Sequence, residues 1–394
     1  MHWNLLPNIE CQNIVTDCHY GSALTKVLNN ILWGKKGVNM SNKPIVMSID
    51  AMGGDHAPEE IVKGVSFYLQ NNPNAQLILH GDEELVRQTA AKYGIADKVQ
   101  IVHAAETVPM DAKPALAMRR KDTSMWSAIA SVKAGDASAV ISAGNTGALM
   151  AVAHLQLRTI PGVHRPAIAG SWPNPRGGFS VVLDVGANVD SSPDQLVDFA
   201  IMGEAYAKAL YNKERPSVGL LNVGSEEVKG HEDIKEAMRL LRAHGSQLGM
   251  EIYGFVEGTD ISMGTTDVVV TDGFTGNIAL KAAEGVAKLF AQVLRESLKS
   301  DPFSMLGSLL AFNGFRKLKE RVDPRSSNGG VFLGLNGLVV KSHGGTDAKG
   351  FCAAIGIAYK MASSNYRETI EENVARLTEL RNKNLEEANL ETQG

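Results

Sequence analysis

The feature that most constrains this chain is a unit that occurs five times: a short apolar strand, a polar loop rich in glycine, and the start of a helix. The loops are SAGNTG (142–147), DVGANVD (184–190), NVGSEEVKG (222–230), TDGFTGN (271–277) and SHGGTD (342–347). Near-continuous apolar strands that alternate with helices are typical of a mainly parallel sheet with helices on both faces. The carboxyl ends of parallel strands share one edge, so we expect the five loops to form one anion site there.

The predicted fold class is α/β, with three α/β/α layers in one catalytic domain at 41–362. Residues 1–40 lack a clear hydrophobic period and are predicted to be an N-terminal extension outside the fold. Residues 363–394 are predicted to be a charged C-terminal helix and tail, and about 285–330 a protruding amphipathic subregion. Nine strands are predicted, at 45–49, 77–79, 99–102, 139–141, 181–183, 218–221, 252–255, 268–270 and 337–340.

Composition excludes several classes of protein. With 394 residues, 44% of them apolar, the chain can bury a large core. A formal net charge of −4 gives no basic footprint for nucleic acid. Three cysteines provide neither a disulfide framework nor a four-cysteine zinc site, which fits a reducing cytoplasm. No apolar run approaches the roughly 20 residues that span a bilayer.

The loops lack the motifs of the common nucleotide and hydrolase sites. The loop at 50–59 is not GxGxxG, and the chain has no GxxxxGK[ST], HExxH or GxSxG sequence. A reaction whose nucleophile is already an anion needs no activating triad. When phosphate attacks a thioester, the thiol leaves as a thiolate, so the enzyme has mainly to align the reactants and stabilise the oxyanion. Backbone N–H groups, a lysine and amide side chains suit that task.

Taken in order, the segments IDAMGGDHAP, RRKDTSM, SAGNTGALM, LDVGAN, GLLNVGSEEVKG, TDGFTGN and HGGTD resemble the PlsX-type phosphate acyltransferases of bacterial phospholipid synthesis. The resemblance implies reversible transfer of a long-chain acyl group from acyl carrier protein to inorganic phosphate. A membrane acyltransferase would then pass the acyl phosphate to glycerol 3-phosphate. It also implies a homodimer, a fold similar to the isopropylmalate and isocitrate dehydrogenases, and no cofactor or metal.

The resemblance assigns roles to two loop residues. Lys229, in the GSEEVKG loop, would bind phosphate and offset the charge of the oxyanion, and Asn277, in TDGFTGN, would donate from its amide. Further residues are candidates for substrate or phosphate contacts, although the loop polar groups among them could equally be turn, cap or structural residues. These candidates are His56, Asn145, Thr146, Gly147, Asn188, Asp272, Gly276 and His343.

Two surfaces are candidates for partners. The basic run Arg119, Arg120 and Lys121 could attract an acidic carrier protein, although such runs are usually solvated faces. An amphipathic stretch at 301–322, in which a basic cluster follows the apolar residues, could lie on an anionic membrane, which would place the protein in the cytoplasm and peripherally on the inner face of the cell membrane. A dimer or core helix is the alternative. The apolar candidates are Phe303, Leu306, Leu309 and Leu310.

Three other functions remain open from the residues alone. A phosphotransacetylase-like enzyme that uses acyl-coenzyme A would share the glycine and asparagine loops. A dehydrogenase of the isopropylmalate type is disfavoured because no metal-binding set of aspartates is recognisable. A membrane-surface scaffold without catalytic activity would leave the five polar loops unexplained.

Overall fold

A computed structural model describes residues 44–321 and 329–391 of the chain. The extension predicted at 1–40 lies outside the described residues, as do residues 322–328 of the predicted protruding subregion. The described strands are β1 Val46–Asp50, β2 Gln76–Gly81, β3 Gln100–His103, β4 Ala139–Ser142, β5 Ala167–Pro173, β6 Phe179–Leu183, β7 Ser217–Leu221, β8 Glu251–Val256, β9 Val268–Val270, β10 Gly330–Leu333 and β11 Leu338–Lys341.

The helices lie between these strands and after them. They are α1 Glu59–Asn71, α2 Glu83–Lys92, α3 Pro114–Ala117, α4 Ser124–Ala134, α5 Thr146–Leu157, α6 Pro193–Tyr211, α7 Glu232–His244, α8 Gly258–Met263, α9 Gly273–Leu298, α10 Pro302–Leu310, α11 Phe312–Arg321, α12 Ala348–Ala362 and α13 Tyr366–Glu391. Helix α6 begins at the predicted capping box, where Ser192 and Gln195 bond each other's backbone N–H group and Pro193 occupies the first turn.

Helices cover both faces of a single sheet, which confirms the predicted α/β class with three layers. Successive strand residues alternate between two apolar cores, as Val268 and Val270 pack on one side and Val269 on the other. Helices α1, α6, α12 and α13 supply side chains to the first core. Helices α4 and α5 and the start of α9 supply the second. Helix α13 packs through Tyr366, Ile370 and Val374, so its first half belongs to the same unit as the sheet.

The order of the strands in the sheet is β3-β2-β1-β4-β11-β10-β5-β6-β9-β7-β8. Most pairings are parallel, but β11–β10, β10–β5 and β5–β6 are antiparallel. Three successive reversals leave β6, β9, β7 and β8 opposite in direction to β1, β4 and β11. The five loops therefore do not share one edge, and our expectation of a single edge was wrong. Those after β4 and β11 lie at one edge, and those after β6, β9 and β7 at the other.

Helices α9 to α11 project from the sheet. Only the first two turns of α9 pack on the second core, through Ala279 and Leu280, and α10 buries none of its residues. In the described part of the chain, no helix has the length and apolar character needed to cross a membrane.

Candidate active site

Lys229 lies in the loop that follows β7, and the side chain of Asn222 shapes this loop. The Asn222 amide donates to the Lys229 carbonyl oxygen at 3.0 Å, and its oxygen accepts from the Val223 N–H group at 2.9 Å. Gly230 follows with φ of +90°, and a Cβ there would collide with the Asn222 side chain. The Lys229 ammonium is half-exposed and pairs with Glu226 at 2.8 Å, which raises the pKa of Lys229. This lysine is charged and accessible.

Asp184 organises the loop after β6. Its buried carboxylate accepts from the backbone N–H groups of Ile168, Gly186 and Asn188 at 2.7 to 3.1 Å, and burial raises its pKa. The Asn188 amide donates to both Asp184 and the Pro166 carbonyl oxygen, each at 2.9 Å. Asn188 is buried in this network and its amide donors hold the loop. The network explains its position without any ligand.

The start of α9 packs directly on this loop. Asp272 caps the helix, accepting from the Thr275 N–H group at 2.7 Å and from its hydroxyl at 2.8 Å. A Cβ at Gly276 would collide with the Asp184 carbonyl oxygen, so only glycine permits this approach. The exposed Asn277 lies beside Gly186. Because β7 and β9 are parallel neighbours, Asn277 and Lys229 both follow the same edge of the sheet.

Five candidate residues lie at the opposite edge, where the loops after β1, β4 and β11 meet. The Asn145 side chain caps α5 at Ala148 and donates to the Met110 carbonyl oxygen at 2.7 Å. Thr146 and Gly147 are exposed in the first turn of α5. The exposed His343 ring accepts from the Gly345 N–H group at 3.2 Å.

His56 lines an open cleft of about 520 Å³ at this edge, together with Ala57, Glu59, Glu60, Gly345 and Asp347. Glu60 bonds the first N–H group of α12, Ala348, at 2.7 Å, and Asp347 caps that helix at Gly350. The carboxylates therefore have structural partners.

Beneath these loops lies a polar cluster that the sequence analysis missed. Asp50 is buried at the end of β1, accepts from the hydroxyls of Ser124 and Ser142 at 2.6 Å each, and has its pKa raised by burial. Lys341 ends β11, and burial lowers its pKa to about 8. A signal existed in the sequence, since an aspartate and a lysine end otherwise apolar strands.

The basic run lies near the same edge. Arg120 pairs with Glu106 at 2.8 Å, and the Lys121 ammonium lies 5.9 Å from the centre of the Trp126 ring. Arg119 is exposed. In the described ranges 44–321 and 329–391, we find no group of three or more histidine, cysteine, aspartate or glutamate residues arranged to hold a metal ion.

Comparison with solved structures places this fold beside the phosphotransacetylases. A phosphotransacetylase from Streptococcus pyogenes superposes with a TM-score of 0.58 at 18% identity, over 86% of this chain and 98% of that one. The EutD phosphotransacetylase from Staphylococcus aureus gives a TM-score of 0.56 at 18% identity, with the same coverage. At this identity the likeness concerns the fold alone. The proposed likeness to the isopropylmalate and isocitrate dehydrogenases stays a prediction.

Sequence comparison gives the family. The family model described as "Fatty acid synthesis protein" matches residues 45–369. The phosphate acyltransferase of Azorhizobium caulinodans is 52% identical over 334 residues, 84% of this chain and 94% of that protein. The phosphate acyltransferase of Caulobacter vibrioides is 50% identical over 339 residues, 86% of this chain and 93% of that protein. The chain therefore belongs to the fatty acid synthesis protein family together with these phosphate acyltransferases, and it is an acyltransferase by family.

Proposed function

We propose that this enzyme reversibly transfers a long-chain fatty acyl group from the thioester of acyl carrier protein to inorganic phosphate. The acyl phosphate would serve the acylation of glycerol 3-phosphate by a membrane enzyme in phospholipid synthesis. The observation that carries the proposal is the family membership, with relatives named phosphate acyltransferase over most of the chain. The exposed Lys229 and Asn277, which follow neighbouring strands, support it.

The reaction needs little beyond alignment and charge stabilisation. An oxygen of hydrogen phosphate attacks the thioester carbon, the carbon–sulfur bond breaks, and the phosphate proton ends on the departing thiolate. Lys229 binds the phosphate and offsets the negative charge of the tetrahedral intermediate. Asn277 donates from its amide to the carbonyl oxygen. No side-chain nucleophile is required, because the attacking oxygen already carries negative charge.

Substrate contacts at the other edge are part of the proposal. His56, Thr146, Gly147 and His343 are exposed there, and the first turn of α5 presents N–H groups that favour an anion. Asn145, Asn188, Asp272 and Gly276 have structural roles that position these loops. Arg119 to Lys121 would attract the acidic carrier protein.

The projecting helices suggest where larger partners bind. We propose that the apolar side of α9 pairs two copies into a homodimer. We propose that Phe303, Leu306, Leu309 and Leu310 of α10, all exposed, contact an anionic membrane. This arrangement would hold a cytoplasmic enzyme peripherally on the inner face of the cell membrane, close to the enzyme that consumes its product.

One assay tests the reaction. The purified protein is incubated with inorganic phosphate and either palmitoyl carrier protein or palmitoyl-coenzyme A, with and without NAD, and acyl phosphate is trapped with hydroxylamine. We expect NAD-independent hydroxamate, formed faster from the carrier protein. Faster transfer from coenzyme A would favour the second candidate, a coenzyme A-dependent transacylase, which the fold likeness to phosphotransacetylases supports. No hydroxamate from either donor would refute both.

A further inference from the structure

Lys229 folds back over the backbone of its own loop. Its ammonium nitrogen lies 2.8 Å from a carboxylate oxygen of Glu226, and the Lys229 N–H group donates to the Glu226 carbonyl oxygen at 3.1 Å. A Cβ added at Gly224 would lie 2.4 Å from Lys229 Cδ, 2.9 Å from Lys229 Nζ and 2.7 Å from a carboxylate oxygen of Glu226. Both side chains therefore lie directly against Gly224, and the missing side chain of this glycine provides the space in which they meet.

The next glutamate in the loop has a different partner. Glu227 pairs with Arg242 of α7, so it ties the loop to a neighbouring helix. Glu226 instead pairs with the lysine to which we assign phosphate binding. Both carboxylates are more than half exposed. The two glutamates thus carry the same charge on the same loop but neutralise different cations.

The Glu226 carboxylate occupies a position on the Lys229 ammonium that a phosphate oxygen would otherwise take. Carboxylate and phosphate are both anionic acceptors for a lysine, and two anions beside one cation repel each other. An ion pair between exposed side chains contributes little free energy, so a ligand can replace it. Near neutral pH, phosphate carries more negative charge than a carboxylate, which favours the exchange.

We propose that Glu226 is a positioning residue whose carboxylate occupies the anion position of Lys229 and is displaced when inorganic phosphate binds. In the absence of phosphate, the ion pair keeps the lysine side chain against Gly224. When phosphate arrives, breaking this pair opposes binding, so Glu226 lowers the affinity of the enzyme for phosphate. This role of Glu226 rests on the proposed function, which supplies both the ligand and the task of Lys229.

Glu226→Gln tests this role, since it removes the charge of the carboxylate and keeps its size. Glu227→Gln is the matched control, because it removes the same charge from the neighbouring position, where the partner is Arg242. Lys229→Met, alone and combined with Glu226→Gln, completes a double-mutant cycle that isolates the coupling between the two side chains. Binding of inorganic phosphate is measured by calorimetry at low salt. The KM values for phosphate and for palmitoyl carrier protein are measured by trapping acyl phosphate with hydroxylamine, and circular dichroism checks that each variant is folded.

We expect Glu226→Gln to bind phosphate roughly two- to fivefold more tightly, the range that an exposed ion pair supplies. The KM for phosphate should fall accordingly, and the KM for the acyl donor should not change. The gain should be absent in Glu227→Gln and should vanish when Lys229 is replaced by methionine. Unchanged or weaker binding by Glu226→Gln, an equal gain in Glu227→Gln, or a gain that persists without Lys229 would overturn the proposal.

The proposed function is tested separately. If the wild-type protein forms no acyl phosphate, the proposed function fails, while calorimetry still decides the role of Glu226. If acyl phosphate forms but Glu226→Gln binds phosphate no more tightly than the wild type, the proposed function stands and the role of Glu226 is refuted.

Discussion

At the scale of single residues, the polar residues after the strands fall into two groups: those whose side chains hydrogen-bond to backbone groups, and those whose side chains are exposed. Asn188, Asp272 and Asn145 direct their side chains at backbone groups and so fix the loops. The Lys229 side chain, in the loop after β7, pairs with the exposed Glu226, and Asn277, near the start of α9, is exposed. A side chain that reaches solvent, and is not hydrogen-bonded to the backbone of its own loop, is available to bind a substrate. This contrast is the structural reason to assign the chemistry to Lys229 and Asn277.

Lys229→Ala tests that assignment. The lysine supplies little packing, so the fold should survive, whereas losing one oxyanion contact costs about 3 to 4 kcal/mol, or roughly 100- to 1,000-fold in turnover. Asn277→Ala should act in the same direction but more mildly, because a neutral donor is weaker. Lys235→Ala is the control, since Lys235 pairs with Glu232 at the same spacing as Lys229 with Glu226. Our assignment is wrong if Lys229→Ala keeps more than about a third of the wild-type rate.

Glu204 should make stability depend on pH. It is fully buried in α6, and burial raises its pKa, although the Lys208 ammonium partly offsets this. A raised pKa means that the folded state resists ionisation, so the glutamate increasingly destabilises the protein as the pH rises above about 4.5. Glu204→Gln should therefore gain unfolding free energy relative to wild type as the pH rises from 5 to 8, by an amount on the order of 1 kcal/mol. Urea unfolding at both pH values measures this. The exposed Glu372→Gln should show no such gain, and an equal gain in both variants would contradict the explanation.

Sequence spacing predicts some of these residue roles and cannot predict others. Asp272 precedes Thr275 by three residues, which is a local capping pattern that can be recognised without a structure. The bond from Asn188 to Pro166 joins residues 22 positions apart in sequence, and the bond from Ser142 to Asp50 joins residues 92 apart. Such contacts depend on the order of strands in the sheet. Sequence spacing could therefore reveal neither the bonds that hold Asn188 nor the buried cluster around Asp50.

At the scale of elements, α9 connects the candidate active site around Asn277 to the helices α10 and α11. Its first turn packs against the loop after β6 at Gly276, while Gly285 further along the helix has open space around it. A side chain larger than that of glycine is therefore excluded at Gly276 but has room at Gly285, a difference that the sequence alone does not reveal.

We expect Gly276→Ala to displace the start of α9, destabilise the fold by about 1 to 3 kcal/mol and reduce activity, because the added methyl group meets backbone rather than a flexible side chain. Gly285→Ala should stabilise the helix by roughly 0.5 to 1 kcal/mol. Thermal unfolding and turnover of both variants measure the contrast. Equal effects at the two positions would show that helix propensity, not the contact with Asp184, decides the outcome.

Helix α10 buries none of its apolar side chains among residues 44–321 and 329–391, with Phe303 85% and Leu310 81% exposed. Within these described residues, α10 is therefore not a core helix, which supports the proposal of a membrane or a second copy as its partner. Each fully inserted leucine or phenylalanine contributes roughly 1.5 to 3 kcal/mol, and each nearby cation about 1 kcal/mol on an anionic leaflet. Even if partial insertion reduces these free energies severalfold, their sum would still support reversible binding of the protein to an anionic membrane.

Leu306→Glu with Leu310→Glu should abolish sedimentation with anionic vesicles while the protein stays a folded dimer. Gln292→Glu with Ser297→Glu adds the same charge to exposed positions of α9 and should leave vesicle binding in place. Should the Leu306 and Leu310 variant still sediment with vesicles, or should it unfold, α10 is an interface rather than a membrane contact.

At the scale of the whole molecule, two strands decide where the loops lie. Sequence analysis found the nine strands that are strongly apolar and missed β5 and β10. Strand β5 contains glycine and ends in proline, and β10 begins at glycine, which weakens a local strand signal. These two strands produce the antiparallel pairings that reverse the sheet. The layers were therefore predictable from hydrophobic periodicity, whereas the division of the loops between two edges was not.

The proposed homodimer belongs to the same scale, and the exposed apolar side of α9 is its proposed interface. Val286, Leu289, Phe290 and Val293 lie on one side of that helix and are each at least half exposed. In a two-fold dimer each of these residues contributes once from each copy, so eight side chains are buried. At roughly 1.5 to 3 kcal/mol for each side chain, their burial suffices for association after the entropy cost of binding is subtracted. Leu289→Glu with Val293→Glu should yield monomers in sedimentation velocity at micromolar concentration, with unchanged circular dichroism. Lys288→Glu, on the polar side of the helix, should remain dimeric. A wild-type monomer, or a double variant that stays dimeric, would assign this apolar side to another partner.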